Sequence, residues 1–163
     1  MDNQIIEIWK YFSLNNVKYL TIGGFAVNIY GYGRNTGDID IFIEDSIENR
    51  NNLGLALKQL GIGDFKTITT MQFIPGWTDI SLNFNLRLDI MTSVKGLENR
   101  NFDELLKKAY IVEINTIPVY FIDYKNLIVS KKAANRPKDI LDIEELEKIN
   151  NPTNELYLKT FVQ

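Results

Sequence analysis

The sequence predicts an α/β (α+β) chain in which strands and helices are interleaved, and three observations predict it. Thr21 to Ile43 reads as a strand ending in the pair Gly23-Gly24, a short helix, a glycine-rich loop and a second strand. Leu86 to Met91 is another short apolar run of the kind a strand needs. Beyond Asp123, apolar residues recur at helical spacing, and Pro137 suits the first turn of the last helix.

The remaining elements follow in order. Gln4 to Phe12 carries Ile5, Ile6, Ile8, Trp9 and Phe12 on a helical stripe that Asn15-Asn16 ends. Val17 to Ile22 is a buried strand, and Phe25 to Tyr30 a short helix broken by Gly31 and Gly33. Asp45 or Ser46 caps a helix over Ile47 to Leu60, with Leu53, Leu55, Ala56 and Leu60 as its apolar side and Gly61 and Gly63 closing it. Phe65 to Phe84 reads as irregular strand and loop with a turn at Pro75-Gly76. Asn101 caps a helix over Phe102 to Lys108, and Tyr110–Ile114 with Ile117–Ile122 forms a hairpin around Asn115-Thr116. Asp123 caps a helix carrying Leu127, Ile128 and Val129. The last helix places Ile140, Ile143, Leu146 and Ile149 on its apolar face, and a surface tail follows Asn150.

Composition narrows the chemistry. A chain of 163 residues with 45% hydrophobic and 24% charged residues suits one domain, with a core at about 17–122 and a C-terminal helical segment at about 123–150. The absence of cysteine excludes disulfides and zinc–thiolate sites, and the absence of histidine removes the usual general base. A net charge of −3 argues against broad, non-specific nucleic-acid binding. No run approaches the roughly 18 apolar residues of a membrane span, and Met1-Asp2-Asn3-Gln4 shows no basic region followed by an apolar run. The expectation is a cytoplasmic protein with no membrane partner.

Within the strand Asp38-Ile39-Asp40-Ile41-Phe42-Ile43, residues two apart share a face, so Asp38 and Asp40 project together while the isoleucines point into a core. Two hard oxygen donors side by side suit a magnesium ion whose other ligands come from substrate phosphates. Gly23 and Gly24 allow close approach of a phosphate to the backbone, and the amides opening the next helix complement its charge. A nucleoside triphosphate with magnesium uses both halves. Asp89 is a third strand carboxylate. Arg34 and Thr36 precede Asp38 and reach either phosphate or their own loop, while Lys131 and Lys138 are further candidates for the triphosphate. The competing reading of the C-terminal lysines is a basic helix face paired with Asp139, Asp142 and Glu144.

Ile22-Gly23-Gly24, thirteen residues, Asp38-Ile39-Asp40-Ile41, and then Leu88-Asp89-Ile90 together resemble the nucleotidyltransferase superfamily that includes the polymerase-beta-like enzymes. The run from Leu127 to Ile143 is similar to the C-terminal motif of minimal bacterial members related to abortive-infection and toxin-antitoxin systems. The resemblance spans about residues 17–146. It implies a mixed sheet flanked by helices, with the active site along one sheet edge and C-terminal helices beyond. It further implies Gly23 and Gly24 at the triphosphate, and Asp38, Asp40 and Asp89 holding two magnesium ions, manganese being the alternative. Family members often carry serine where this chain has Gly24. The implied reaction is attack of an acceptor hydroxyl, on RNA, protein or a small molecule, at the α-phosphate, with pyrophosphate leaving. A partner protein or a homodimer would complete the acceptor side. The alternative reading is a non-catalytic, nucleotide-binding, antitoxin-like regulatory module.

Overall fold

The structure is a computed structural model, and it describes residues 3–74, 78–82 and 86–150. Along the chain come α1 (Asn3–Leu14), β1 (Tyr19–Ile22), α2 (Gly23–Ile29), β2 (Asp38–Ile43), α3 (Ile47–Gln59) and β3 (Asp79–Ser81). They are followed by β4 (Arg87–Met91), α4 (Phe102–Lys107), β5 (Tyr110–Ile114), β6 (Ile117–Phe121), α5 (Tyr124–Ala134) and α6 (Pro137–Asn150). Among the described residues six strands form one sheet in the order β3-β4-β2-β1-β6-β5. The sheet is mixed: β2 runs parallel to β4 and β1 parallel to β6, whereas β1 and β2 are antiparallel, as are both edge pairs. The expected α/β architecture, a mixed sheet flanked by helices, is the one found. The turn expected at Pro75-Gly76, the end of the 65–84 segment at Phe84 and the tail after Asn150 lie outside the described residues.

Strand parity divides the sheet into two faces. Ile39, Ile41 and Ile43 are fully buried on one of them. Tyr19, opposite Ile43 in the ladder, meets Phe12 of α1 edge-on with ring centroids 5.3 Å apart, so α1 covers this face. Asp38, Asp40 and Phe42 take the other face, where Phe42 meets Phe102 of α4 at 5.1 Å. Between the 93–98 segment and the C-terminal helices this second face is open as a cleft.

Caps account for most element ends. Ser46, Asn101 and Asp123 each accept a hydrogen bond from an amide in the first turn of their helix. At the end of α1, the Asn16 amide donates to Ser13 O and the Val17 amide to Phe12 O, with Asn16 at φ 53°. Val17 is therefore spent closing the helix, and the strand begins at Tyr19 rather than at Val17. The same pair of bonds, Gly61 to Lys58 and Ile62 to Leu57, closes α3. At the hairpin, both Asn115 and Thr116 have positive φ, as a two-residue connection between twisted strands requires.

Two helix faces differ from the sequence expectation. In α3 the buried apolar residues are Leu53, Ala56 and Leu57, at i, i+3 and i+4, and Leu55 points to solvent. In α6 the buried residues are Asp139, Asp142 and Leu146, whereas Ile140 and Ile149 are about half exposed. A face carrying two carboxylates turns inward because it has cations to meet. Lys131 of α5 places its Nζ 2.7 Å from Asp142 Oδ2 and 3.4 Å from Asp139 Oδ1. Arg34 donates to both oxygens of Asp142 at 2.7 and 3.1 Å, and Arg136 donates to both oxygens of Asp139 at 2.6 and 3.1 Å. Burial alone would raise the Asp139 pKa, but the Arg136 hydrogen bonds and the Lys131 charge outweigh it and hold the carboxyl below its ordinary value.

This chain of five charged groups ties α6 to α5 and to the loop before β2. Asp142→Ala removes the central acceptor and leaves the buried Lys131 ammonium short of countercharge. Its expected cost in urea unfolding is roughly 3–5 kcal/mol. The double substitution Lys131→Met with Asp142→Leu, which replaces the ion pair by packed apolar groups, is expected to recover most of that loss.

Candidate active site

The parallel pairing of β2 with β4 sets Asp38 opposite Arg87 and Asp40 opposite Asp89. Directly opposed residues on adjacent strands share a face, so Asp38, Asp40 and Asp89 are brought together on the open side of the sheet. All three line a cleft of about 640 Å³. The antiparallel partner β3 sets Asp79 opposite Asp89, so an acidic row, Asp79, Asp89 and Asp40, crosses three strands.

Asp40 is a strongly perturbed carboxyl. Burial pushes its pKa up to about 6, and the charges of Asp89 and Asp38 push the same way, while a hydrogen bond from the Gly24 amide and the nearby Lys138 charge oppose the rise. Among the described residues, no three acidic side chains are drawn into a ready-made metal cage. One visible reason is that Asp38 already has a cation. Arg87 Nε lies 2.9 Å from Asp38 Oδ1 and Arg87 Nη1 lies 3.6 Å from Asp79 Oδ2.

The glycine pair does something the sequence reading did not foresee. Gly23 sits at φ 64°, and a Cβ there would overlap the Asp40 carboxylate. At Gly24 a Cβ would overlap the Thr36 side chain and press on Arg34. On their Cβ sides the two glycines therefore make room for this chain's own side chains. The helix also begins at Gly23 itself rather than after Gly24, which brings the Gly24 amide to Asp40. Thr36 Oγ1 donates to Asp38 O at 3.2 Å, closing its own loop at the start of β2.

All the sequence-predicted site residues line the one cleft, Gly23, Gly24, Arg34, Thr36, Lys131 and Lys138 included. Their charged ends are placed differently. The Arg34 guanidinium is held by Asp142, and the Lys131 side chain is only 5% exposed and held by Asp142 and Asp139. Its two carboxylate partners tie Lys131 to α6. Lys138 is exposed at the cleft, close enough for its charge to act on Asp40.

Sequence reasoning singled out neither Arg87 nor Asp79 as a site residue. Arg87 stands two positions before Asp89, so strand parity alone places it beside the carboxylates. The signal for Asp79 is absent from any single segment, because only the pairing of β3 with β4 brings it into the row.

The comparisons with known proteins agree with this geometry. A family model described as a nucleotidyltransferase of unknown function (DUF6036) matches residues 2–162. By sequence, no curated protein matches significantly. Among solved structures, the lincomycin-bound lincosamide antibiotic adenylyltransferase LnuA is similar with a TM-score of 0.59 at 14% identity, over 92% of this chain and 98% of that one. The antibiotic-resistance factor ANT(2'')-Ia is similar with a TM-score of 0.55 at 16% identity, over 97% of this chain and 93% of that one. These likenesses show the fold. With a carboxylate-lined cleft on a mixed sheet and a family match running almost from end to end, the chain belongs to the DUF6036 family of nucleotidyltransferases.

Proposed function

We propose that the protein transfers a nucleoside monophosphate from a nucleoside triphosphate to a hydroxyl of an acceptor, with a divalent cation, magnesium in the first instance, held by Asp38, Asp40 and Asp89. The observation that carries this reading is the opposition of Asp40 to Asp89 on parallel strands, with Asp38 beside them, at one wall of a cleft of about 640 Å³. The donor set fits such an ion. It consists of carboxylate oxygens, and the charges of Asp89 and Asp38 act with burial to make ionisation of Asp40 unfavourable. What the ion supplies when bound, whether as one or as the two expected of this superfamily, is neutralisation of charge at the α-phosphate and on the leaving pyrophosphate.

The chain's own residues do the rest. The Gly24 amide fixes the orientation of Asp40. Lys138, exposed in the first turn of α6, offers its ammonium to the phosphates. Arg34, Lys131 and Arg136 act through Asp142 and Asp139, keeping α6 and therefore Lys138 in place over the cleft. Asp89 lies on the β3 side of Asp40 and is the carboxylate placed to accept the acceptor's proton as the new ester bond forms. No helix among the described residues is long and apolar enough to cross a membrane. The relation to toxin-antitoxin systems, the cytoplasmic location and a partner protein or second copy on the acceptor side belong to this proposal as further readings.

The decisive experiment supplies each labelled nucleoside triphosphate with magnesium and a cell extract, then asks which RNA, protein or small molecule becomes labelled. No label with any triphosphate would overturn the catalytic reading in favour of a nucleotide-binding regulator. Asp89→Asn is expected to leave triphosphate affinity within about threefold of wild type and to lower the transfer rate roughly hundredfold or more, read by calorimetry beside single-turnover kinetics.

The Asp40 shift gives a second test. A carboxyl that binds its proton more tightly folded than unfolded contributes stability below about pH 4, and that contribution is lost as pH rises through about 6. Asp40→Asn is therefore expected to raise urea stability at about pH 8 by up to roughly 3 kcal/mol and to flatten the pH profile between those values. Added magnesium is expected to raise the melting temperature of the wild type and not that of Asp40→Asn. A stabilising ion effect that persists in the variant would place the metal elsewhere.

A further inference from the structure

The cations that hold carboxylates at and beside the cleft fall into two kinds. Arg34, Lys131 and Arg136 hold carboxylates, Asp142 and Asp139, that are 1% and 0% exposed, and such pairs are permanent parts of the fold. Arg87 differs on both counts. Its pair with Asp38 is open to water, the side chains being 55% and 41% exposed, and its partner is a carboxylate assigned above to the divalent cation. Water on all sides makes this pair weak and readily exchanged. The second anchor, Asp79 on the edge strand β3, keeps the guanidinium beside the acidic row once Asp38 lets it go.

We propose that Arg87 is a positioning residue that stands in for the divalent cation on Asp38 in the nucleotide-free protein, and yields it when the cation arrives with a triphosphate. Metal binding thereby becomes dependent on nucleotide binding. A bare divalent cation gains Asp38 only by pushing aside a positive group that stays within a few ångströms of it, and the two like charges then repel. A cation carried by a triphosphate brings its own phosphate ligands and also an anionic partner for the displaced guanidinium. The carboxylate site thus discriminates between free metal and the metal–nucleotide complex without a moving domain. The inference rests on the metal assignment to Asp38, Asp40 and Asp89 made above.

The test titrates manganese, alone and then with a non-hydrolysable nucleoside triphosphate analogue, into wild type, Arg87→Ala and Arg87→Lys, reading free manganese by electron paramagnetic resonance. Denaturant midpoints confirm that the variants are folded, as the exposure of Arg87 leads one to expect. Manganese alone is expected to bind Arg87→Ala roughly tenfold tighter than wild type, and Arg87→Lys, which keeps the charge, about as weakly as wild type. With the analogue present, wild type and Arg87→Ala are expected to bind manganese within about threefold of each other. Equal affinity of wild type and Arg87→Ala for manganese alone overturns the inference, and so does an Arg87→Lys variant that binds as tightly as Arg87→Ala. Failure of all three proteins to bind manganese even with the analogue overturns the metal assignment itself, and that result is distinct from the other two.

Discussion

The in-register pairing of β2 with β4 is the constraint on which the rest of the site depends. A parallel pair with Asp40 opposite Asp89 puts two acidic groups side by side on the cleft face of the sheet, where burial of Asp40 and the neighbouring charges together raise its pKa. A slip of one residue would turn Asp38 and Asp40 into the core and the isoleucines outward. The register is held from behind, because Ile39, Ile41, Leu88 and Ile90 are all fully buried on the opposite face. The apolar side of these two strands is thus what keeps the acidic side aligned.

Around that pair, much of the molecule consists of arrangements that seat charge. Gly23 lacks a side chain because the Asp40 carboxylate occupies the place, and Gly24 lacks one because Thr36 and Arg34 do. Each glycine thus lets two segments of the chain close on each other. The five-membered series Arg34, Asp142, Lys131, Asp139 and Arg136 holds α6 against α5 through hydrogen-bonded ion pairs, its carboxylates fully satisfied. Such a cluster stabilises little beyond what apolar packing would provide, but it admits few alternative placements of α6. It fixes the position of Lys138 one residue before Asp139. The exposed pair between Arg87 and Asp38 is the contrasting case, in which a weak contact lies where the chemistry is proposed to occur.

Strand and helix identities were legible from Tyr19 to Ile43 and from Phe102 to Asn150, because glycines, caps and apolar periods mark them locally. The three carboxylates Asp38, Asp40 and Asp89 were legible as candidates for the same reason: each sits in an apolar strand run where a charge must have a purpose. Helix faces were less legible. In α6 the isoleucines Ile140 and Ile149 suggested the buried side, yet the carboxylates Asp139 and Asp142 are the residues inside. Hydrophobic periodicity does not register a buried face that is satisfied by cations from distant parts of the chain, and Arg34 is more than a hundred residues from Asp142.

The sequence by itself determined the fold class, the supersecondary unit from Thr21 to Ile43 and the set of acidic residues with functional potential, since all of these follow from neighbours within a few positions. Only the tertiary structure decided what each polar group meets. It assigned the space beside the glycines to Asp40 and Thr36, committed Lys131 and Arg34 to Asp142, left Lys138 exposed at the cleft, and set Arg87 against Asp38. The physical reason is that a charged side chain is placed by its partner, and in this protein the partners are brought together by strand pairing and helix packing across long stretches of chain.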